Sequence, residues 1–244
     1  MSFADELENF RMEEESAQQF FFGYLALQHI PGDNSAVLKK LNDTPTFWIT
    51  ARYSLLLAAF VALGRIFDQD HKSVHNIDKL LRAVSDEIAL FNPASLEARR
   101  IADGMDPTFA REYAADKYTL TPADVRSMRK TVAKWRRIYE LRYRDIRHLV
   151  MAHRGIPRSQ VEALFADTKI DEMKDMLGFL HALYGALWEL HVNGRKPDLT
   201  PTAFRLLPRQ GYGGSDNAGE RMYRDAVNLQ YSMLDVPTPM RDED

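Results

Sequence analysis

TPADVRSMRKTVAKWRRIYELRYRDIRHLVMAHRG, residues 121–155, is the stretch whose reading decides the fold. Thr121 has the side chain of an N-cap, and Pro122 suits the first helical turn, where its missing N–H removes no bond. Trp135, Tyr139 and Tyr143 recur at i, i+4 and i+8, and Ile146, Leu149 and Val150 continue an apolar stripe that also takes in His153. Gly155 with Pro157 just beyond it is a helix stop. The stretch therefore predicts one long helix from about Pro122 to His153, and its apolar side requires other helices to cover it.

The rest of the chain has the same period. No segment alternates convincingly at period two, so strands are not expected. An acidic opening helix is expected from Asp5 to His29, stopped at Ile30-Pro31-Gly32, followed by a short helix over Ser35–Leu41. Phe47–Phe67 is apolar nearly all round and is expected to be the central buried helix. Ser73 looks like the N-cap of a helix over Val74–Leu90, and short helices are expected near Ser95–Asp103 and Pro107–Lys117. Asp171–Val192 is amphipathic. Past Asn193-Gly194, Pro197, Pro201, Pro208 and a Gly-rich turn at 211–214 suggest an extended arm, with one more helix over Glu220–Leu234. The expected architecture is an all-α, up-and-down helical bundle of four to five main helices over residues 1–193, with a C-terminal extension over 194–244.

Composition narrows the function classes. Apolar residues make up 45% and aromatics 11%, enough for a true core. The absence of cysteine excludes disulfides, thiolate metal sites, iron–sulfur clusters and a cysteine nucleophile. The start has no secretory pattern, and the most nearly apolar run, Ser54–Gly64, is too short to span a bilayer, so a soluble cytoplasmic protein with no membrane partner is expected. No cofactor is implied. Asp68, Asp70, His71 and His75 have metal-ligating side chains, but Ser73 breaks the helical spacing between them, so no metal site is expected.

Charge is unevenly distributed. Arg126–Arg158 holds eleven Lys or Arg against two acids, Glu140 and Asp145, a local excess of nine in a chain whose net charge is −3. Such a segment suits an anionic ligand. Within it, Arg147 and His153 are the residue types that metal-free cleavage of RNA requires. Imidazole exchanges protons near neutral pH, and guanidinium binds phosphate oxygens through paired hydrogen bonds. On a straight α-helix, six residues give roughly 9 Å of rise and leave the two side-chain directions roughly 120° apart. The pair therefore makes sense in a homodimer whose two motif helices meet across a shared cleft.

These residues resemble a known family. Arg147-His148-Leu149-Val150-Met151-Ala152-His153 is similar to the signature of HEPN-domain proteins: an Arg, a polar residue, a short spacer and a His. Met-Ala-His-Arg at 151–154 resembles the ending of abortive-infection members, and Arg65-Ile66-Phe67-Asp68 resembles their upstream Arg-x-x-Asp helix end. The resemblance implies a helical bundle dimerising through the motif helix. It also implies a metal-independent endoribonuclease in cellular defence or a toxin, with RNA as ligand and a protein antitoxin as a further partner. Arg147 would then bind phosphate, His153 would serve as acid and base, and His148, Arg144 and Arg154 would support the cleft. Arg65 and Asp68 would sit behind the motif or form a structural pair. A non-catalytic module binding RNA or a protein is the alternative.

Plainer readings stand beside these. His153 also fits a buried structural histidine, Arg147 fits a partner of one of Glu13–Glu15, and the basic helix fits a solvated face docked on acidic neighbours. Arg65 and Asp68, at i and i+3, fit a simple ion pair. Trp135, Tyr139 and Tyr143 fit core or dimer contact as well as base stacking.

Overall fold

The computed structural model describes residues 2–69, 73–152, 160, 163–164, 166–206 and 217–235. The described residues are helical or irregular, with no strand among them. In chain order the helices are α1 (Phe3–Asp33), α2 (Ser35–Leu41), α3 (Pro45–Phe67), α4 (Ile77–Asp86), α5 (Pro93–Ala102), α6 (Pro107–Ala114), α7 (Pro122–Arg142), α8 (Ile170–Asn193) and α9 (Ala218–Asp235). A 3₁₀ turn at Ile88–Leu90 and a π-helical segment at Ile146–Ala152 also occur among the described residues. The fold is all-α, and the helix packing is that of a bundle. The chain divides into two compact units: residues 1–14 with 62–203, and residues 15–61 with 204–244.

In the first unit, the ends of the helices are set by local chemistry. Thr121 and Asp124 form a full capping box at the start of α7, each side chain accepting the other's backbone N–H, with Pro122 in the first turn. Asn92 caps α5 through Ser95 N. The cap of α4 is Asn76, whose Oδ1 accepts from Lys79 N at 3.0 Å, and not Ser73. The Ser73 hydroxyl instead bonds to the His75 carbonyl at 2.7 Å. An asparagine three residues closer to the apolar stripe outcompetes the serine, because α4 turns Ile77, Leu80, Leu81 and Val84 inward from that start. At the far end, α8 closes on Gly194 with φ 63°, a left-handed position that glycine takes without steric cost.

The core of this unit is aromatic. Phe67 stacks on Tyr139 at 5.4 Å between ring centroids, and Trp135 stacks on Phe179 at 5.5 Å. Phe3 meets Phe91 edge-on at 4.8 Å. Each such ring contributes about 2–3 kcal/mol by leaving water. Arg99 bonds to the carbonyls of Leu90 and His191, both at 2.8 Å, and ties α5 to the last turn of α8.

In the second unit, α1 continues through Pro31 to Asp33 rather than stopping at Ile30. Near a helix end, proline removes only its own N–H bond, and Asn34 N still reaches Ile30 O at 2.9 Å before its side chain caps α2. Phe22 packs on Phe204 at 4.5 Å, and the buried Gln230 of α9 donates to Ala26 O at 3.1 Å.

Helix α3 corrects one expectation. It is not a central buried helix: its inward residues are confined to Ala59–Phe67, whereas Phe47 is 62% exposed and Ile49 61%. Composition cannot distinguish an apolar helix that is covered from one that is not. With 23 residues, α3 is also the one helix among those described that is long and apolar enough to cross a membrane by length and composition.

Candidate functional site

The site forms where the C-terminal end of α3 faces the segment following α7, both within the first unit. The long basic helix does not stay α-helical to His153. It is α-helical to Arg142, loosens at Tyr143 (φ −115°), and resumes as the π-helical turn Ile146–Ala152. A π turn bonds i to i+5 and widens the helix, and such turns are frequent at functional sites. The 100°-per-residue rotation assumed for Arg147 and His153 therefore does not hold across this segment. His153 and Arg154 themselves lie outside the described residues.

Ile146 is fully buried and anchors the turn, which leaves Arg147 beside the end of α3. There the Arg147 guanidinium forms an ion pair with Asp68, and the two side chains are only 18% and 23% exposed. Gly64 makes this approach possible. A methyl group added at Gly64 would come within 2.6 Å of the Arg147 guanidinium carbon and 2.9 Å of its Cδ, so the arginine lies flat on bare helix backbone. Arg147 Nη2 also donates to His148 Nε2 at 2.8 Å. That bond makes Nε2 an acceptor and places the proton of the neutral ring on Nδ1. His148 itself is exposed.

A second set of groups holds Asp68 in place. Its carbonyl accepts from Asn76 Nδ2 at 3.2 Å, and its N–H bonds to Gly64 O at 2.9 Å. Arg136 donates to Phe67 O at 3.1 Å and to Asp78 at 2.7 Å, so a cation closes the negative end of the α3 dipole one residue before Asp68. The Tyr139 hydroxyl is buried without a hydrogen-bond partner of normal geometry, and burial, with the Asp68 charge second, pushes its phenol well above the ordinary value. Tyr143 shifts the same way, again chiefly by burial, with Glu172 adding to it. Its hydroxyl bonds to Glu172 at 3.1 Å.

Several sequence expectations change here. Arg65 and Asp68 do not pair with each other: Arg65 reaches Glu13 at 2.9 Å and Asp68 holds Arg147. Arg147 accordingly takes none of Glu13–Glu15 as its partner. Three residues separate Arg65 from Asp68 along the helix, but the nearest opposite charge is supplied by a different helix in each case. The aromatic residues of the basic helix belong to the core, since Trp135, Tyr139 and Tyr143 are all buried. Arg144 is exposed. Asp70 and His71 lie outside the described residues, and no metal-ligating cluster occurs among the described ones.

Gly64, Asn76, Arg136 and Tyr139 were not singled out from the sequence as parts of this site. Only Gly64 left a signal, as a glycine inside an otherwise apolar helix, where it costs helix stability and so needs a reason.

A family model described as AbiU2, of the HEPN class, matches residues 7–205. The chain belongs to the HEPN AbiU2 family. No curated protein and no solved structure matches it. The match spans α1 through α8 and includes both the Arg147 turn and the α3 end that holds it. Membership in the AbiU2 family suggests abortive-infection defence as the setting.

Proposed function

We propose that this AbiU2-family protein is a metal-independent endoribonuclease of abortive-infection defence, acting in the cytoplasm as a homodimer and restrained by a protein antitoxin. The observation that carries the reading is Arg147: a guanidinium oriented by Asp68 and Gly64, in contact with His148, on a π turn within the family's matched region. Arg147 Nε and Nη1 make no hydrogen bond among the described residues, so donors remain for phosphate oxygens.

In the proposed step a ribose 2′-hydroxyl attacks the adjacent phosphorus. His153 takes or returns the proton, and Arg147 stabilises the charge that develops on the phosphate oxygens. The products are a cyclic phosphate and a 5′-hydroxyl. A second copy would bring another Arg147 and His153 to the same cleft through an isologous contact.

The test is digestion of RNA in the presence of chelator by the wild type, Arg147→Ala and His153→Ala, with sizing of each. The wild type should run as a dimer and cut, and each variant should lose on the order of 10²–10⁴-fold in rate. Equal cutting by all three, or none by any, refutes the nuclease. One observation favours the non-catalytic alternative: Arg147 is already neutralised by Asp68 and less than a fifth exposed. The wild type binding RNA without cutting it would select that reading.

A further inference from the structure

The basic residues of α7 and the segment after it fall into two groups. Arg129, Arg136, Arg142 and Arg147 are bound within the protein: Arg129 to Leu81 O and Ser85 Oγ, Arg136 to Phe67 O and Asp78, Arg142 to Glu172, and Arg147 to Asp68. Arg126, Lys130, Lys134, Arg137 and Arg144 are exposed, and none of them makes an ion pair or hydrogen bond among the described residues. Lys134 only lies over the Trp135 ring, at 5.5 Å.

The second group is not scattered. At about 100° per residue Arg126, Lys130, Lys134 and Arg137 fall within roughly 80° of one another on α7 and span roughly 17 Å at 1.5 Å per residue, and Arg144 is exposed just past the end of that helix. Arg144 stands three residues before Arg147 in the chain, so the row leads toward the Arg147–His148 contact. Glu140 and Asp145 are the two acids of this segment, and Leu141 is an exposed apolar residue of the same helix. A face of five unneutralised cations in a chain of net charge −3 calls for a polyanion.

We infer that this face is a track for the phosphates of single-stranded RNA that feeds the Arg147 site, read through the backbone and without base preference. The inference rests on the RNA reading above and adds where and how the strand binds. Its indifference to sequence follows from what the face lacks. Base stacking needs an exposed aromatic platform, and Trp135, Tyr139 and Tyr143 of the same helix are all turned into the core. Charge without stacking leaves phosphate contacts, which position a strand but carry no sequence information.

The test uses the full chain carrying His153→Ala, in chelator, with labelled oligouridylate and oligoadenylate as probes. Five phosphate contacts give a slope of log affinity against log salt of about −3.5, or about a 100-fold loss between 50 and 200 mM salt. Adding Lys130→Gln, Lys134→Gln and Arg137→Gln should weaken binding and flatten the slope by about 2 units for both probes. A control with Lys39→Gln, Arg111→Gln and Arg195→Gln, which removes the same charge from exposed positions elsewhere, should bind like the parent.

Parent-like binding by the first triple variant, equal loss in the control, a tenfold preference for one base, tighter binding of polyglutamate than of RNA, or no RNA binding at all each overturn the track. The outcome is separable from the nuclease test. RNA bound along this face by a protein that never cuts would uphold the track and end the nuclease. Arg147-dependent cutting by a protein whose first triple variant binds normally would do the reverse.

Discussion

Gly64→Ala isolates the contact on which the site is built, because two effects of opposite sign compete there. In an open helix position, alanine in place of glycine stabilises by about 0.5–1 kcal/mol. At Gly64 the added methyl would sit 2.6 Å from Arg147 Cζ and 2.9 Å from Cδ, so the arginine has to leave the helix surface. Leaving it, Arg147 gives up a charge-assisted bond to Asp68 between side chains less than a quarter exposed, worth about 1.5–3 kcal/mol. The loss exceeds the gain, and the variant should be destabilised by about 0.5–2.5 kcal/mol. For a chain of this size that lowers Tm by roughly 1–10 °C.

The decisive form of the experiment is a double-mutant cycle read by thermal and urea unfolding. In an Arg147→Ala background the three atoms that crowd the new methyl most closely are gone, and Gly64→Ala should turn stabilising by up to about 1 kcal/mol. RNA cutting, where it occurs, should fall at least tenfold in the single Gly64→Ala variant. A Gly64→Ala protein that is more stable than wild type, with the same increment whether or not Arg147 is present, would refute the packing of Arg147 on α3.

Two further expectations test neighbouring features. Asn76→Ala should cost about 1 kcal/mol through loss of the α4 cap, measured by urea unfolding, whereas Ser73→Ala should cost clearly less; the reverse order would restore Ser73 as the cap. In a spectrophotometric titration, Tyr139 and Tyr143 should stay protonated through the range around pH 10 where a tyrosine of the unfolded chain ionises. Their folded pKa is raised above the unfolded one, so their contribution to stability is complete below about pH 10 and is lost as pH rises above it. A stability that is flat across that range would contradict their burial.

Local chemistry was legible wherever it was self-contained. The Thr121–Pro122 start of α7, the Asn193–Gly194 end of α8 and the helical period of nearly every segment depend on residues a few positions apart, and the structure follows them. Asn92-Pro93 falls between two helical stretches, and Asn92 caps the second of them with Pro93 in its first turn. Ser73 failed as a cap because Asn76 competes for the same role. The Arg65–Asp68 pair failed because each side chain met a stronger partner from another helix.

The sequence alone determined that the chain is helical, that its basic charge is concentrated in one segment, and that Arg147 and His148 stand next to each other within it. Periodicity, capping and adjacency are properties of neighbours along the chain, and they carry over into any packing. Tertiary structure alone decided which arginines were neutralised, that a glycine on α3 accommodates Arg147, and that Asp68 faces it. Those outcomes depend on which helices come within a few ångströms of each other. That is fixed by the burial of Phe67, Tyr139 and Ile146 as a set, and no spacing along the chain encodes it.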